Sequence, residues 1–244
     1  MDKTTGLLAT LEYPGRLIAM GLASAGTKAV IVYAITGRSP SSQARKLVHR
    51  DSGVWVQPTD EDVLKKGNID LLVYPALFFG QAGVAVSNGK QTADIRDALL
   101  AGAAPVAVLS QALAAWDYEP DAPIFTPRIS GCLVRGAAGL SVVRRGESGE
   151  PLRSYFEVPF REGEGRLVST YAGPNSDPLP AFEGEPRRVG LAGKTARETA
   201  EAVYGDLAPA AAEKDFRVAV ACAFVSLSDP GRIDLHIINR HERT

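Results

Sequence analysis

The sequence predicts an α+β fold in one domain spanning residues 1–244. Three observations carry that expectation: β-rich apolar runs come in groups before and after a pair of helices, helices do not alternate strictly with strands, and no low-complexity linker or internal repeat divides the chain. An all-parallel βαβ architecture is therefore disfavoured. The length, with 45% hydrophobic and 23% charged residues, suffices for a sizeable core.

The first group opens with "RLIAMGLA" and "KAVIVYAITG", two apolar runs between Arg16 and Gly37 separated by the small-residue break "SAGT", which suits a hairpin. "GVWVQP", "DLLVYPALFF" and "GVAVSNG" follow as further strands. The period then changes. "TADIRDALLAG" and "PVAVLSQALAAW" carry apolar residues at three- and four-residue spacing, with Thr92 expected as N-cap and Pro105 as the first residue of the second helix. "RISGCLVRG" and "LSVVRR", joined by "AAG", read as a second hairpin. Residues 144–165 and 172–192 are rich in Gly, Pro and charge and are expected as loops flanking the strands "YFEVPF" and "RLVSTYA". "KTARETAEAVYGDL" reads as a helix, and "DFRVAVACAFVSLS" with "RIDLHIINR" as a closing antiparallel pair.

Several function classes lose support. A formal net charge of −1 supplies no cationic excess for nucleic acid or anionic lipid, so an anionic ligand needs a local cluster. No apolar run reaches the roughly 20 residues that span a bilayer, and the N-terminus lacks a secretory h-region. Cys132 and Cys222 stand far apart without metal-ligand spacing, which together with these observations points to a cytoplasmic protein without a structural metal. Neither a Walker A loop nor GxGxxG is present, and His49, His236 and His241 fall in no GxSxG, HExxH or Cys-His context.

Four features are candidates for chemistry, each with a plain structural alternative. Asn88-Gly89 ends a strand before the Thr92 cap, so the Asn88 amide and backbone N–H groups are expected to face one space; a simple turn is the alternative. Arg16, Arg38, Arg45 and Lys46 lie near the ends of the first hairpin and could converge on a phosphate, or form a solvated rim. Tyr74 interrupts an apolar strand and reads as a core tyrosine or a catalytic one. Finally, "AAWDYEPDAPIFTPR" sets Asp117, Glu119 and Asp121 after a helix C-terminus, where the dipole disfavours carboxylates, and offers Arg128 as a charge partner; a solvated acidic loop is the alternative.

Taken in order, "YPGRLIAMG", "VYAITGRSPSSQARK", "VAVSNGKQTADI" and "AAWDYEPDAPIFTPRI" resemble the archaeal-type IMP cyclohydrolase family over about residues 12–145, with a looser echo in "VSTY" at 168–171. The resemblance implies an Ntn-hydrolase-like four-layer αββα sandwich with mainly antiparallel sheets. It also implies closure of 5-formamidoimidazole-4-carboxamide ribotide to inosine monophosphate in purine biosynthesis. By the same resemblance, Tyr74 and Glu119 fall at the reacting centre, flanked by Asp117 and Tyr118. Arg16, Arg38 and Arg128 would hold the ribotide, with Asn88 and Thr126 offering neutral hydrogen bonds. No catalytic Cys, Ser or Thr stands at the strand entry Glu12-Tyr13-Pro14-Gly15, which suits an intramolecular closure needing no acyl-enzyme. No cofactor and no metal is implied; the partner is a small-molecule ribotide, and assembly into a homo-oligomer is left open. Another cyclising or amide-cleaving enzyme on the same scaffold, or a non-catalytic nucleotide binder, would share most of these residues.

Overall fold

A computed structural model describes residues 4–60, 73–191, 193–209 and 215–243. The elements run α1 (Thr4–Leu8), β1 (Arg16–Leu22), β2 (Lys28–Thr36), α2 (Pro40–Gln43), β3 (Arg45–Arg50), β4 (Gly53–Pro58), β5 (Tyr74–Gly80) and β6 (Gly83–Ser87). They continue with α3 (Thr92–Leu99), α4 (Pro105–Ala112), β7 (Arg128–Val134), β8 (Ala137–Arg145), β9 (Pro151–Val158), β10 (Glu164–Ser169), β11 (Arg187–Gly190), α5 (Ala196–Asp206), β12 (Arg217–Ser226) and β13 (Ile233–Asn239). The strands form a six-stranded sheet, ordered β11-β10-β1-β2-β12-β13, and a seven-stranded sheet, ordered β3 to β9 in sequence. Every ladder in both sheets is antiparallel.

The alternation of side chains along each strand explains why the central runs are apolar throughout. On β1 and β2, Ile18, Met20, Ile31, Tyr33 and Ile35 point toward the other sheet and meet Val54, Val56, Ala76, Val86, Ile129 and Leu140. The intervening Leu17, Ala19, Val30, Val32 and Ala34 face outward beneath α1 and α5, where Leu8, Ala196, Ala200 and Val203 cover them. On the far side of the seven-stranded sheet, Ala85 and Cys132 pack under Ile95, Leu99, Val108 and Leu109 of α3 and α4. The central strands of both sheets are thus buried on both faces and lack the apolar-polar alternation of a half-exposed strand, which is left to edge strands such as β9. Both cysteines are free and buried, and burial pushes the Cys132 thiol up to about 12.

The first hairpin, the helical pair with Pro105 following an extended Ala104, and the closing β12–β13 pair match the sequence reading. Of "DLLVYPALFF", residues 70–72 lie outside the described residues, and the strand itself starts at Tyr74. Five local expectations are corrected. Strand β3 was hidden in "RKLVHR", whose charges alternate with buried Arg45 and Leu47. The edge strand expected at "YFEVPF" starts four residues earlier, at Pro151, and 187–190 form another where a loop was expected, because hydrogen bonding to β8 and β10 overrides their polar composition. The β7–β8 turn is Arg135-Gly136, with Gly136 at φ 78°, and "AAG" is already paired strand. Thr92 is the first residue of α3 rather than its cap, and its hydroxyl donates back to the Gly89 carbonyl at 2.8 Å. Helix α4 ends at Ala112, one turn before Trp116.

Candidate active site

Four antiparallel pairings bring the candidate residues to one end of the sandwich. In the six-stranded sheet that end holds the start of β1, the finish of β2 and the finish of β10; in the other sheet it holds the starts of β5 and β7 and the finish of β6. The Tyr33 and Tyr74 hydroxyls, 2.8 Å apart, join the two sheets here, and the loop between α4 and β7 closes the end: Arg16 Nη2 donates to Glu119 Oε1 at 3.0 Å, and Thr126 Oγ1 lies 2.9 Å from the hydroxyl of Tyr171, just past β10.

Glu119 is the electrostatic centre. Its side chain is only 4% exposed, and Arg128 Nη1 stands 4.0 Å from the same oxygen that Arg16 contacts. Its backbone N–H donates to the Thr126 carbonyl at 2.9 Å, which fixes the chain so that the carboxylate points between the guanidiniums. Burial pushes the Glu119 carboxyl above its usual range, with Arg16 and Arg128 opposing the rise and Asp121 adding to it. On Arg16, burial works against the charge, but Glu119 first and then Tyr74, Tyr171 and Tyr33 hold its pKa above the ordinary value. Seen from Arg16 the pair outweighs burial; seen from Glu119 burial outweighs the pair. Arg16 is a permanent cation, since guanidinium loses its proton only above about 12, so the member that responds to pH is Glu119. Arg128 is lowered, by burial first and by the neighbouring Arg16 cation, against the pull of Glu119.

One donor here has no acceptor: Arg16 Nε is buried and makes no hydrogen bond. Tyr74 and Tyr33 are both nearly inaccessible, and burial, followed by the neighbouring Tyr74, holds the Tyr33 phenol well above its ordinary pKa. Gly15, at φ 72°, makes room for Tyr171: a Cβ there would lie 2.7 Å from the tyrosine ring and 2.1 Å from Thr170 Oγ1. Gly89 does the same on the other sheet, where a Cβ would meet Gln91 Oε1 at 2.6 Å and Arg128 Nη1 at 2.8 Å.

The remaining predicted residues divide. Arg128 joins the centre, donating from Nε to the Asp117 carbonyl at 2.7 Å and from Nη1 to Gln91 at 3.1 Å, with its guanidinium 4.7 Å over the Trp116 ring. Arg38 sits at the exposed rim, bonded to Asn175 Oδ1 and the Ser176 carbonyl and 5.7 Å over Tyr13, which stacks on Tyr171. Asn88 was expected to turn its amide outward; instead Nδ2 donates to the Pro127 carbonyl at 2.9 Å, while Oδ1 accepts from Ile129 N and Gln91 Nε2. Tyr118 donates to the Gly149 carbonyl at 2.8 Å, and Thr126 is engaged by Asp121 and Tyr171. Arg45 ties the Ser42 and Thr36 carbonyls, so the hairpin cations do not converge on one point.

The conflict at the helix end is relieved by a residue the sequence reading passed over. Arg153 on β9 donates to the Leu113 and Trp116 carbonyls beyond α4 and reaches Asp117 Oδ1 at 3.2 Å. Asp117, 65% exposed in its side chain, is thus paired on the outside of the cluster while Glu119 points in. Nothing in the chain marked Arg153, which lies 36 residues from its partner. Tyr33 was visible as the lone hydroxyl in a Val/Ile run, and Tyr171 as the end of "VSTY". Among the described residues, no helix is long and apolar enough to cross a membrane, and no group of three or more His, Cys, Asp or Glu is arranged to hold a metal.

Comparison with known proteins matches residues 13–229 to a family described as IMP cyclohydrolase-like protein. The chain is 28% identical over 194 residues to a protein of Methanothrix thermoacetophila named IMP cyclohydrolase, covering 79% of this chain and 86% of that one. A protein of the same name from Methanopyrus kandleri is 30% identical over 189 residues, covering 70% and 89%. Another from Haloquadratum walsbyi is 30% identical over 159 residues, covering 65% and 71%.

Proposed function

The chain belongs to the IMP cyclohydrolase-like family, and from that premise we propose that it closes 5-formamidoimidazole-4-carboxamide ribotide to inosine monophosphate with loss of one water. The buried carboxylate between two guanidiniums, beside a guanidinium N–H that has no acceptor, is the observation that carries this reading at the level of chemistry.

Ring closure joins the carboxamide nitrogen to the formyl carbon. The carboxamide nitrogen gives up one proton and the formamido nitrogen another as its double bond to the formyl carbon forms; the formyl oxygen takes both and leaves as water, so the reaction balances without oxidant or reductant. Both reacting groups sit on one imidazole, so positioning supplies much of the acceleration. In our reading Glu119 accepts the proton from the carboxamide nitrogen; its raised carboxyl pKa makes it a better base near neutrality than an exposed glutamate. Arg16 donates through Nε to an oxygen that gains negative charge, and Tyr74, relayed to Tyr33, donates to the formyl oxygen and follows it as acid. Arg128 holds Glu119 in place and shares its charge, and Arg38 at the rim receives the phosphate. Asp117, Tyr118 and Asn88 shape the wall through their contacts to Arg153, Gly149 and Pro127.

We read the two facing antiparallel sheets with helices on both outer sides as the Ntn-hydrolase-like arrangement, with residues 1–244 as one such domain acting in the cytoplasm in purine biosynthesis. Purified protein mixed with the formamido ribotide tests the function: inosine monophosphate should appear by absorbance at a rate proportional to enzyme. A ribotide that stays unchanged beside folded protein refutes it.

A further inference from the structure

The two hydroxyl pairs at the site are not equivalent. Between Tyr33 and Tyr74 either oxygen can donate. The Thr126–Tyr171 pair has a third member, because Asp121 accepts from Thr126 N at 2.7 Å through Oδ1 and from Thr126 Oγ1 at 2.5 Å through Oδ2. A carboxylate only accepts, so the single hydroxyl proton of Thr126 points at Asp121. Thr126 can then meet Tyr171 only as acceptor, and the phenol proton of Tyr171 must point at Thr126. Its oxygen is left with lone pairs alone for whatever lies on its other side.

That other side is the cluster. The Tyr171 ring lies over Gly15, one residue from Arg16, and stacks on Tyr13 at 5.6 Å. The groups acting on its phenol are Arg16 from β1, Tyr13 from the segment before it, and Thr126 and Asp121 from the loop between α4 and β7. Burial is the main influence on Tyr171 and pushes its phenol up, so it stays protonated and in this one orientation at neutral pH. We propose that Asp121 and Thr126 are positioning residues that lock Tyr171 as a hydrogen-bond acceptor, so that Tyr171 holds an N–H or O–H donor of the substrate opposite the donors Arg16 and Tyr74. The turnover part of this inference rests on the cyclisation reading; the hydroxyl orientation does not.

Asp121→Asn keeps the shape and reverses the logic, since an amide N–H facing Thr126 Oγ1 turns the threonine proton toward Tyr171 and frees the tyrosine to donate. Without any substrate, carbon-13 labelling at tyrosine Cζ, with the Tyr171 signal assigned from Tyr171→Phe, should show the Tyr171 titration moving to lower pH in Asp121→Asn. An unmoved or upward titration overturns the locked orientation. With the formamido ribotide, Asp121→Asn should lower kcat/KM roughly tenfold in the otherwise unchanged chain and hardly at all in the Tyr171→Phe background, because the two residues act as one unit. Equal losses in both backgrounds, or no loss from either single variant with folding verified by Tm, overturn the positioning role. A shifted titration in a protein that turns over no ribotide faults the function and leaves the orientation standing.

Discussion

Two arginine–carboxylate pairs, one between the sheets and one beside the α5 helix, show how similar residues are set to different ends. At the start of β12, Asp215 receives three hydrogen bonds from Arg217: N and Nε on Oδ1 at 3.1 and 2.9 Å, and Nη2 on Oδ2 at 2.7 Å. Arg217 also donates to the Tyr204 carbonyl and lies 4.5 Å over that ring. These hydrogen bonds hold the Asp215 carboxyl below its usual range. Glu119 has one hydrogen bond from Arg16, a second guanidinium at 4.0 Å, and a carboxyl displaced upward by burial. The first pair is satisfied and fastens β12 to α5; the second leaves Arg16 Nε without an acceptor and keeps a carboxylate short of donors. In the proposed function, a ligand supplies the acceptor that the buried Arg16 Nε lacks.

The comparison breaks most visibly at Glu119. Glu119→Gln removes the charge and keeps the shape, so turnover should fall by roughly 10²-fold or more, the scale of acid–base assistance. The stability sign is worked from the raised carboxyl. A group whose folded pKa exceeds its unfolded value contributes stability below the unfolded value and loses it as pH rises through the folded one. At neutral pH the charged form therefore gains nothing from its own burial, while its loss deprives the buried Arg16 cation of a partner, so the two effects oppose and the Tm of Glu119→Gln should stay close to that of the unchanged chain. A large fall in Tm would make Glu119 a structural clamp like Asp215.

Arg38 sharpens the boundary between centre and rim. Arg38→Ala should weaken the ribotide by about 1.5–3 kcal/mol, the range of a charge-assisted hydrogen bond, and leave the unphosphorylated riboside nearly unaffected. Equal losses for both ligands place the phosphate elsewhere.

Asp215→Asn carries the opposite signature to Glu119→Gln. Its folded pKa is depressed, so its contribution is present above the unfolded value and is lost as pH falls through the folded one. Tm at neutral pH should drop by a few degrees, on the order of 2–4 °C, with turnover kept, and the difference should vanish in acid. The smallest effect is expected from chelation. Ring closure involves no redox change and the proposed steps use only arginine, tyrosine and glutamate side chains, so exhaustive metal removal should leave the rate unaltered, and restoration of a lost rate by one metal would refute that.

The layers were legible where the chain repeats one message. Continuous apolar runs in β1, β2 and β12 signalled strands covered on both sides, and the change to three- and four-residue spacing located α3 and α4. Strand β11 and the first half of β9 were not legible, because they are held by ladder hydrogen bonds to β10 and β8 rather than by apolar pattern, whereas "YFEVPF" did announce the second half of β9. At the site, the acidic stretch announced itself by breaking the helix-end rule, but the identity of the buried carboxylate did not. Asp117 and Glu119 differ by two positions, and only the Glu119–Thr126 backbone bond and the reach of Arg153 decide which turns inward. Asn88 looked like an open amide because its three partners come from residues 91, 127 and 129, and the last two lie across the sheet.

If the buried carboxyl between Arg16 and Arg128 is the base of the reaction, its raised pKa must be visible in the pH dependence of kcat/KM. An acid limb is expected above the ordinary glutamate value of about 4.3, absent from the residual activity of Glu119→Gln. A limb at the ordinary carboxylate value, or the same limb surviving in Glu119→Gln, would contradict that role.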